Sequence, residues 1–224
     1  MKTLSSLLCS LGLAAAAAFL PLTAHAQDAQ PGNPAAAASK VAMCIGCHGI
    51  PGYRSSFPEI HKVPLISGQN AKYIETALLA YRKGDRKHPT MRGIAASLSD
   101  QDIADISAYY ERSGASVQPV KGRSVEPSAE VAALLNKGNC ASCHGNDLNT
   151  PIDGSYPKLA GQHADYLYVS LRSYQTSNNA VVGRNNPVMV AQVSMFTPAE
   201  LKALSAYLAG LQGSMGVLSQ PLFK

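Results

Sequence analysis

Tryptophan is absent from this chain of 224 residues, and aromatic side chains as a whole reach only 6%. Charge is scarce as well, at 15%, while 18 glycines and 14 prolines place much of the backbone in loops. A chain so poor in large rings builds only a modest core from its own side chains, which leaves room for something else to fill it. No stretch alternates apolar and polar residues over the length of a strand, which argues against a sheet protein. Nor is one sign of charge dominant. Once the leader described below is set aside, 18 basic residues stand against 14 acidic ones, spread over both halves, and no nucleic-acid footprint results. The length suits two domains of about 100 residues each, or one larger one.

The first 26 residues differ from the rest. Lys2 gives a short positive start, Leu4 to Leu22 an apolar run, and Ala24-His25-Ala26 a small-x-small site before Gln27. This is the pattern of a secretory signal peptide cleaved after Ala26, and it directs the mature chain to the periplasm. A retained anchor is the competing reading, but the run is short and broken by Ser5, Ser6, Ser10 and Pro21. Cys9 leaves with this segment.

The remainder repeats itself. MCIGCHG at 43–49 matches NCASCHG at 139–145, VPLISGQ at 63–69 matches YPKLAGQ at 156–162, and SDQDIADISAYY at 99–110 matches TPAELKALSAYL at 197–208. One unit has been duplicated. Between the copies, SGASVQPVKGRSVEPS (113–128) is polar, holds two prolines and lacks an apolar period. The expected organisation is therefore a first domain over 27–114, a linker over 115–127 and a second domain over 128–224.

Each unit reads as helical, so the fold class is all-α. An Ala-rich segment (34–44, and 128–140 in the second copy) forms a first helix ending at the cysteine motif. A second helix covers NAKYIETALLAYRKG and QHADYLYVSLRSYQ. The third carries the clearest start signals: Ser99 as N-cap with Asp102 three residues on, and Thr197 as N-cap with Pro198 and Glu200 behind it.

The four mature cysteines fall in Cys44-Ile45-Gly46-Cys47-His48 and Cys140-Ala141-Ser142-Cys143-His144, the spacing of c-type haem attachment. Two thiols three positions apart can add to the two vinyl groups on one edge of a porphyrin, leaving the adjacent imidazole under the iron. Three other uses compete. A thioredoxin-like pair needs a preceding strand, and none is visible. A zinc site joining both pairs requires the chain to bring two distant motifs together. Plain disulfides leave both histidines unexplained. Two covalently bound haem c groups also account for the thin aromatic core.

These motifs, with Pro-x-Leu/Ile-x-Gly-Gln and the third-helix SAYY/SAYL, resemble the dihaem cytochrome c4 family, two class I cytochrome c domains in tandem, over the whole mature chain. The resemblance implies that the carbonyls of Pro64 and Pro157 accept hydrogen bonds from Nδ1 of His48 and His144. It also implies that small Ala42 and Gly138 face Tyr109 and Tyr207 where the first and third helices cross. Its further implications are one-electron transfer in a respiratory chain between a quinol-oxidising cytochrome bc complex and a terminal oxidase, and possible peripheral membrane association. Two alternatives are an electron-accepting cytochrome subunit of a dehydrogenase or sulfur-oxidising complex, and a dihaem peroxidase, which two symmetric Pro-x-Met segments disfavour.

The second axial ligand decides between transfer and catalysis, because a thioether closes the iron and raises its potential. Met43 adjoins Cys44 and cannot reach around the ring, so Met91 is the candidate in the first unit. In the second, register chooses. Pro89-Thr90-Met91 stands eight residues before Ser99, and Pro187-Val188-Met189 eight before Thr197. Met189 is the expected ligand, and Met195 a packing residue at the helix entry. His88 competes with Met91, whereas His61 and His163 read as solvent-facing loop or helix-start residues. The run Arg82-Lys83-Gly84-Asp85-Arg86-Lys87 either complements a helix dipole or steers an acidic partner.

Overall fold

The structure, a computed structural model, describes residues 31–119, 122 and 126–219. The leader, its cleavage site and Cys9 lie outside the described residues, as does part of the linker. Among the described residues no helix is long and apolar enough to cross a membrane.

The first unit runs α1 (Ala42–His48), α2 (Ala71–Lys83), α3 (Pro89–Ala96) and α4 (Asp100–Ser113). The second runs α5 (Ala129–Lys137), α6 (Ala141–His144), α7 (Ala164–Tyr174), α8 (Pro187–Ser194) and α9 (Pro198–Gly210). In each unit the second helix packs on the third-helix repeat, α2 on α4 and α7 on α9, and on the short helix before it. Gly84 ends α2 in the left-handed region, φ +93°, a conformation that costs glycine nothing.

Both third helices start as expected, with reciprocal capping boxes at Ser99/Asp102 and Thr197/Glu200. The residues just before the caps, Leu98 and Phe196, are buried and fix the entry angle. Met195 is not the packing residue there. It lies at the end of α8 and is 46% exposed, and Phe196 fills the place assigned to it.

The first helix does not end at the cysteine motif; the motif itself is helical. In the first unit residues 34–41 form successive turns, closed by bonds such as Ala36 N–H to Asn33 O and Lys40 N–H to Ala37 O. Both ends of that stretch are tied to α4, since Asn33 N–H donates to Asp105 (2.8 Å) and Lys40 bonds Asp102 and Asp105. In the second unit α5 stops at Lys137, and Asn139, with φ +43°, turns the chain before α6. Gly138 meets Phe196 first rather than Tyr207: a Cβ there would stand 3.0 Å from the ring.

Among the described residues four strands of two residues each also appear, too short to show any alternation in sequence. β1 (Arg54–Ser55) pairs with β2 (His61–Lys62), and β3 (Arg86–Lys87) pairs antiparallel with β4 (Gly183–Arg184) across the two units.

The lysine before each cysteine motif reaches the third residue of the third helix: Lys40 to Asp102, and Lys137 to Glu200 at 2.8 Å. Lys40 and the Ser99 cap hold the Asp102 carboxyl down to about 2, and Lys137 with Thr197 does the same for Glu200. A carboxyl whose folded pKa lies below its unfolded value stabilises the fold above the unfolded pKa and ceases to as pH falls through the folded one. The thermal midpoint should therefore fall between about pH 5 and pH 2. Asp102→Asn with Glu200→Gln should flatten that fall in melts followed by circular dichroism, and an unchanged slope would remove these two groups as its cause.

Candidate functional site

Cys44, Cys47 and His48 lie on α1, and Cys143 and His144 on α6, with Cys140 as its N-cap. Helical geometry puts residues three apart on one face, so each pair of thiols lines one edge. All four of these cysteines are half-buried, and no disulfide joins them. His48 Nδ1 donates to Pro64 O and His144 Nδ1 to Pro157 O, both at 2.9 Å. A carbonyl can only accept, so the proton sits on Nδ1 and the Nε2 lone pair is left to bind iron. Burial lowers the pKa of both imidazoles and the proline carbonyls oppose it only in part, which keeps them in the neutral, ligating form.

Met91 and Met189 each occupy the third position of a short helix that sequence reasoning did not anticipate. Pro89 and Pro187 open α3 and α8, and the caps are His88 and Asn186. Asn186 Oδ1 accepts from Met189 N–H at 3.0 Å, and His88 Nδ1 accepts from Met91 N–H at 3.4 Å. His88 thus stands where Asn186 stands, packed against Phe57 and Tyr81. Met91 packs on the core that contains Ile45, Leu78 and Ile103, and Met189 on Leu134, Val193 and Leu204. Because an Asn cap does the same work, His88→Asn should leave the optical spectrum of the oxidised protein unchanged. A lost or shifted sulfur-to-iron band in that variant would return His88 to the ligand set.

His61 is not solvent-facing. It is 5% exposed, bonded through Nδ1 to Glu59 O and stacked near Tyr166 of the second unit. Nor does the basic run form one free patch. Arg82 pairs with Asp100, Lys83 with Asp85, and Lys87 reaches Asn179 O. Arg86 turns inward, donating to Tyr73 and Tyr166 hydroxyls at 3.2 and 2.7 Å, while Arg184 opposite it donates to Tyr166 and Ser170. Neither guanidinium has a carboxylate partner among the described residues, and Arg86 Nε is buried without a hydrogen bond. Burial alone would raise the Tyr166 phenol, but the two arginines outweigh it and bring it down to about 7.

The Pro-x-x-x-Gly-Gln loops do more than carry the prolines. Gly68 and Gly161 adopt φ +87° and +75°, and their N–H groups bond Tyr110 O and Leu208 O at equivalent places in the third helices. A Cβ on Gly68 would come 2.6 Å from Ser214 O. Gln69 and Gln162 cross the seam between the units. Leu65 N–H donates to Gln162 Oε1 (3.0 Å) and Leu65 O accepts from its Nε2 (2.9 Å). Lys158 N–H and O are held by Gln69 in the same way, at 2.9 and 3.1 Å. Met215, 1% exposed, offers its sulfur to both side-chain amides. Sequence reasoning found the motif but not this use of its glutamine. Its only signal was that the last residue of the motif repeats along with the first.

The residues present fit a covalently held porphyrin. Each unit offers two thiols on one edge and an imidazole of fixed tautomer, and the seam offers two half-buried guanidiniums that lack a carboxylate among the described residues. A small helical fold built twice around such a motif is that of a dihaem c-type cytochrome. The cytochrome c family model matches residues 35–111 and 128–212. Cytochrome c4 of Pseudomonas aeruginosa is 30% identical over 217 residues, covering 94% of this chain and 98% of that protein. The chain belongs to the cytochrome c4 family. The crystal structure of reduced recombinant cytochrome c4 from Pseudomonas stutzeri matches with TM-score 0.58 and 28% identity, over 81% of this chain and all of that one. A thiosulfate dehydrogenase electron acceptor of Stutzerimonas stutzeri is 29% identical, covering 88% of this chain and 92% of that protein. The chain is accordingly an electron-transfer protein, not an enzyme, and carries two covalently bound haem c groups at its Cys-x-x-Cys-His motifs.

Proposed function

We propose that the protein works in the periplasm as a one-electron shuttle between a quinol-oxidising cytochrome bc complex and a terminal oxidase, with domains over 27–114 and 128–224. His48 with Met91, and His144 with Met189, would hold the two irons. The observation that carries this reading is the matched pair of capped Pro-x-Met helices, which supports a thioether rather than an open face at both irons. Haem, when bound, supplies the ferric–ferrous couple. The chain's own residues orient the imidazoles through Pro64 and Pro157 and exclude water with the core of each unit, and Arg86 and Arg184, whose planar donors suit carboxylates, would hold propionates. A closed, low-spin iron changes little on reduction, which favours transfer over ligand binding.

A second reading, an electron acceptor for a dehydrogenase of sulfur compounds, is favoured by the similarity to the Stutzerimonas stutzeri thiosulfate dehydrogenase electron acceptor. Stopped-flow absorbance with membranes from the source cells separates the two. The shuttle reading expects reduction by a quinol that is abolished by a bc-complex inhibitor, and reoxidation by oxygen through the membranes. Reduction that requires thiosulfate and a soluble fraction, with none from quinol, would replace it by the second. Retention on those membranes at low salt and release at high salt would show the peripheral association.

A further inference from the structure

The two glutamines that cross the seam do not touch arbitrary backbone. Pro64 O, which accepts from His48 Nδ1, and Leu65 N–H, which donates to Gln162 Oε1, are the two ends of one peptide group. Pro157 O and Lys158 N–H, bonded to His144 and Gln69, are the two ends of another. The assignment of each amide is forced, because an N–H needs the oxygen and a carbonyl needs the nitrogen. Each glutamine also accepts from the N–H of the residue after it, Asn70 or His163, at 3.0 Å, which holds its oxygen in place. Every one of these groups has its counterpart in the other unit.

From this crossed geometry we infer that each haem's reduction potential is set in part by a glutamine of the opposite domain: Gln162 for the haem at Cys44 and Cys47, Gln69 for the haem at Cys140 and Cys143. The inference rests on His48 and His144 being the iron ligands. Donation from a peptide N–H draws charge towards its carbonyl oxygen, so hydrogen bonds at the two ends of one amide strengthen each other. A more negative carbonyl pulls harder on the Nδ1 proton, makes the imidazole a stronger donor to iron and favours the ferric state. Gln69 and Gln162 are positioning residues, since each acts on a histidine through a peptide that it does not share a domain with. Gln69 makes no hydrogen bond to Pro64 or His48, and Gln162 none to Pro157 or His144.

The test uses the full two-haem protein with Gln162→Leu and Gln69→Leu made separately. Potentials are read by spectroelectrochemistry, and each haem is identified by the ferric proton-NMR methyl signals that Met91→Ala or Met189→Ala removes. Gln162→Leu should lower the ferric-to-ferrous ratio of the first haem about threefold at a fixed potential and leave the second almost unmoved; Gln69→Leu should do the reverse. Shifts confined to the haem of the substituted domain, equal shifts at both, or none at either would overturn the inference. If loss of the buried amide prevents assembly, Gln162→Glu and Gln69→Glu keep an acceptor of greater charge. They should then move the opposite haem towards ferric by more than the near one, and a larger near effect counts against the inference. High-spin iron in the unsubstituted protein would instead strike at the ligand assignment, before any glutamine is changed.

Discussion

Replacing Met189 by alanine is expected to remove about half of the sulfur-to-ferric-iron charge-transfer band, make the second haem high-spin and lower its potential. Met91→Ala should do the same to the first. The thioether stabilises the ferrous state, so its loss leaves iron that takes an electron less readily and binds water or small ligands in its place. Part of the effect is structural: Met189 is half-buried against Leu134, Val193 and Leu204, and truncating it removes about 1 kcal/mol of apolar burial. The control is Met195→Ala, which at 46% exposure should change neither spectrum nor melting. A band that survives Met189→Ala and disappears in Met195→Ala would reverse the assignment drawn from register.

The second large effect is expected from Cys140→Ala with Cys143→Ala. Haem content should fall from two covalent groups per chain to one, as read by mass of the denatured protein and by the pyridine haemochrome. The second unit should then lose its cooperative melting. Its own buried side chains form two small groups bridged by Leu135, one reaching Met189 and the other reaching Cys140. Without the apolar surface that a bound macrocycle would add, so small a core falls short of the roughly 5–15 kcal/mol that a folded domain needs. Two haems retained, or helix content and melting unchanged, would show that the side chains alone suffice.

The features that sequence made legible were those written in local chemistry. Cys-x-x-Cys-His is contiguous, the capping boxes span four residues, and Met189 stands at the same distance from Thr197 as Met91 does from Ser99. Duplication supplied the comparison that an isolated copy lacks. What escaped was long-range. Gln69 and Gln162 are invisible as a pair because each copy shows only half of the contact, and its meaning depends on how the copies face one another. Arg86 reads as one more member of a basic run until α2 ends and β3 turns it against Tyr166. His61 reads as polar and exposed because its cover comes from the other unit. The turns over 34–41 were misread as helix because alanine's high helix propensity yielded to tethers on Asp102 and Asp105.

Met215 belongs to both halves of the molecule. It comes after the last helix of the second unit, in a segment that crosses to the first, where Gly216 N–H bonds Ser67 O and the sulfur meets both glutamine amides. The end of one half is thereby a structural part of the other. Adhesion between the halves resides in this strap, in the paired amides and in the pairing of β3 with β4. A change of shape at residue 215 therefore disturbs both seam glutamines, and through them both halves, at once.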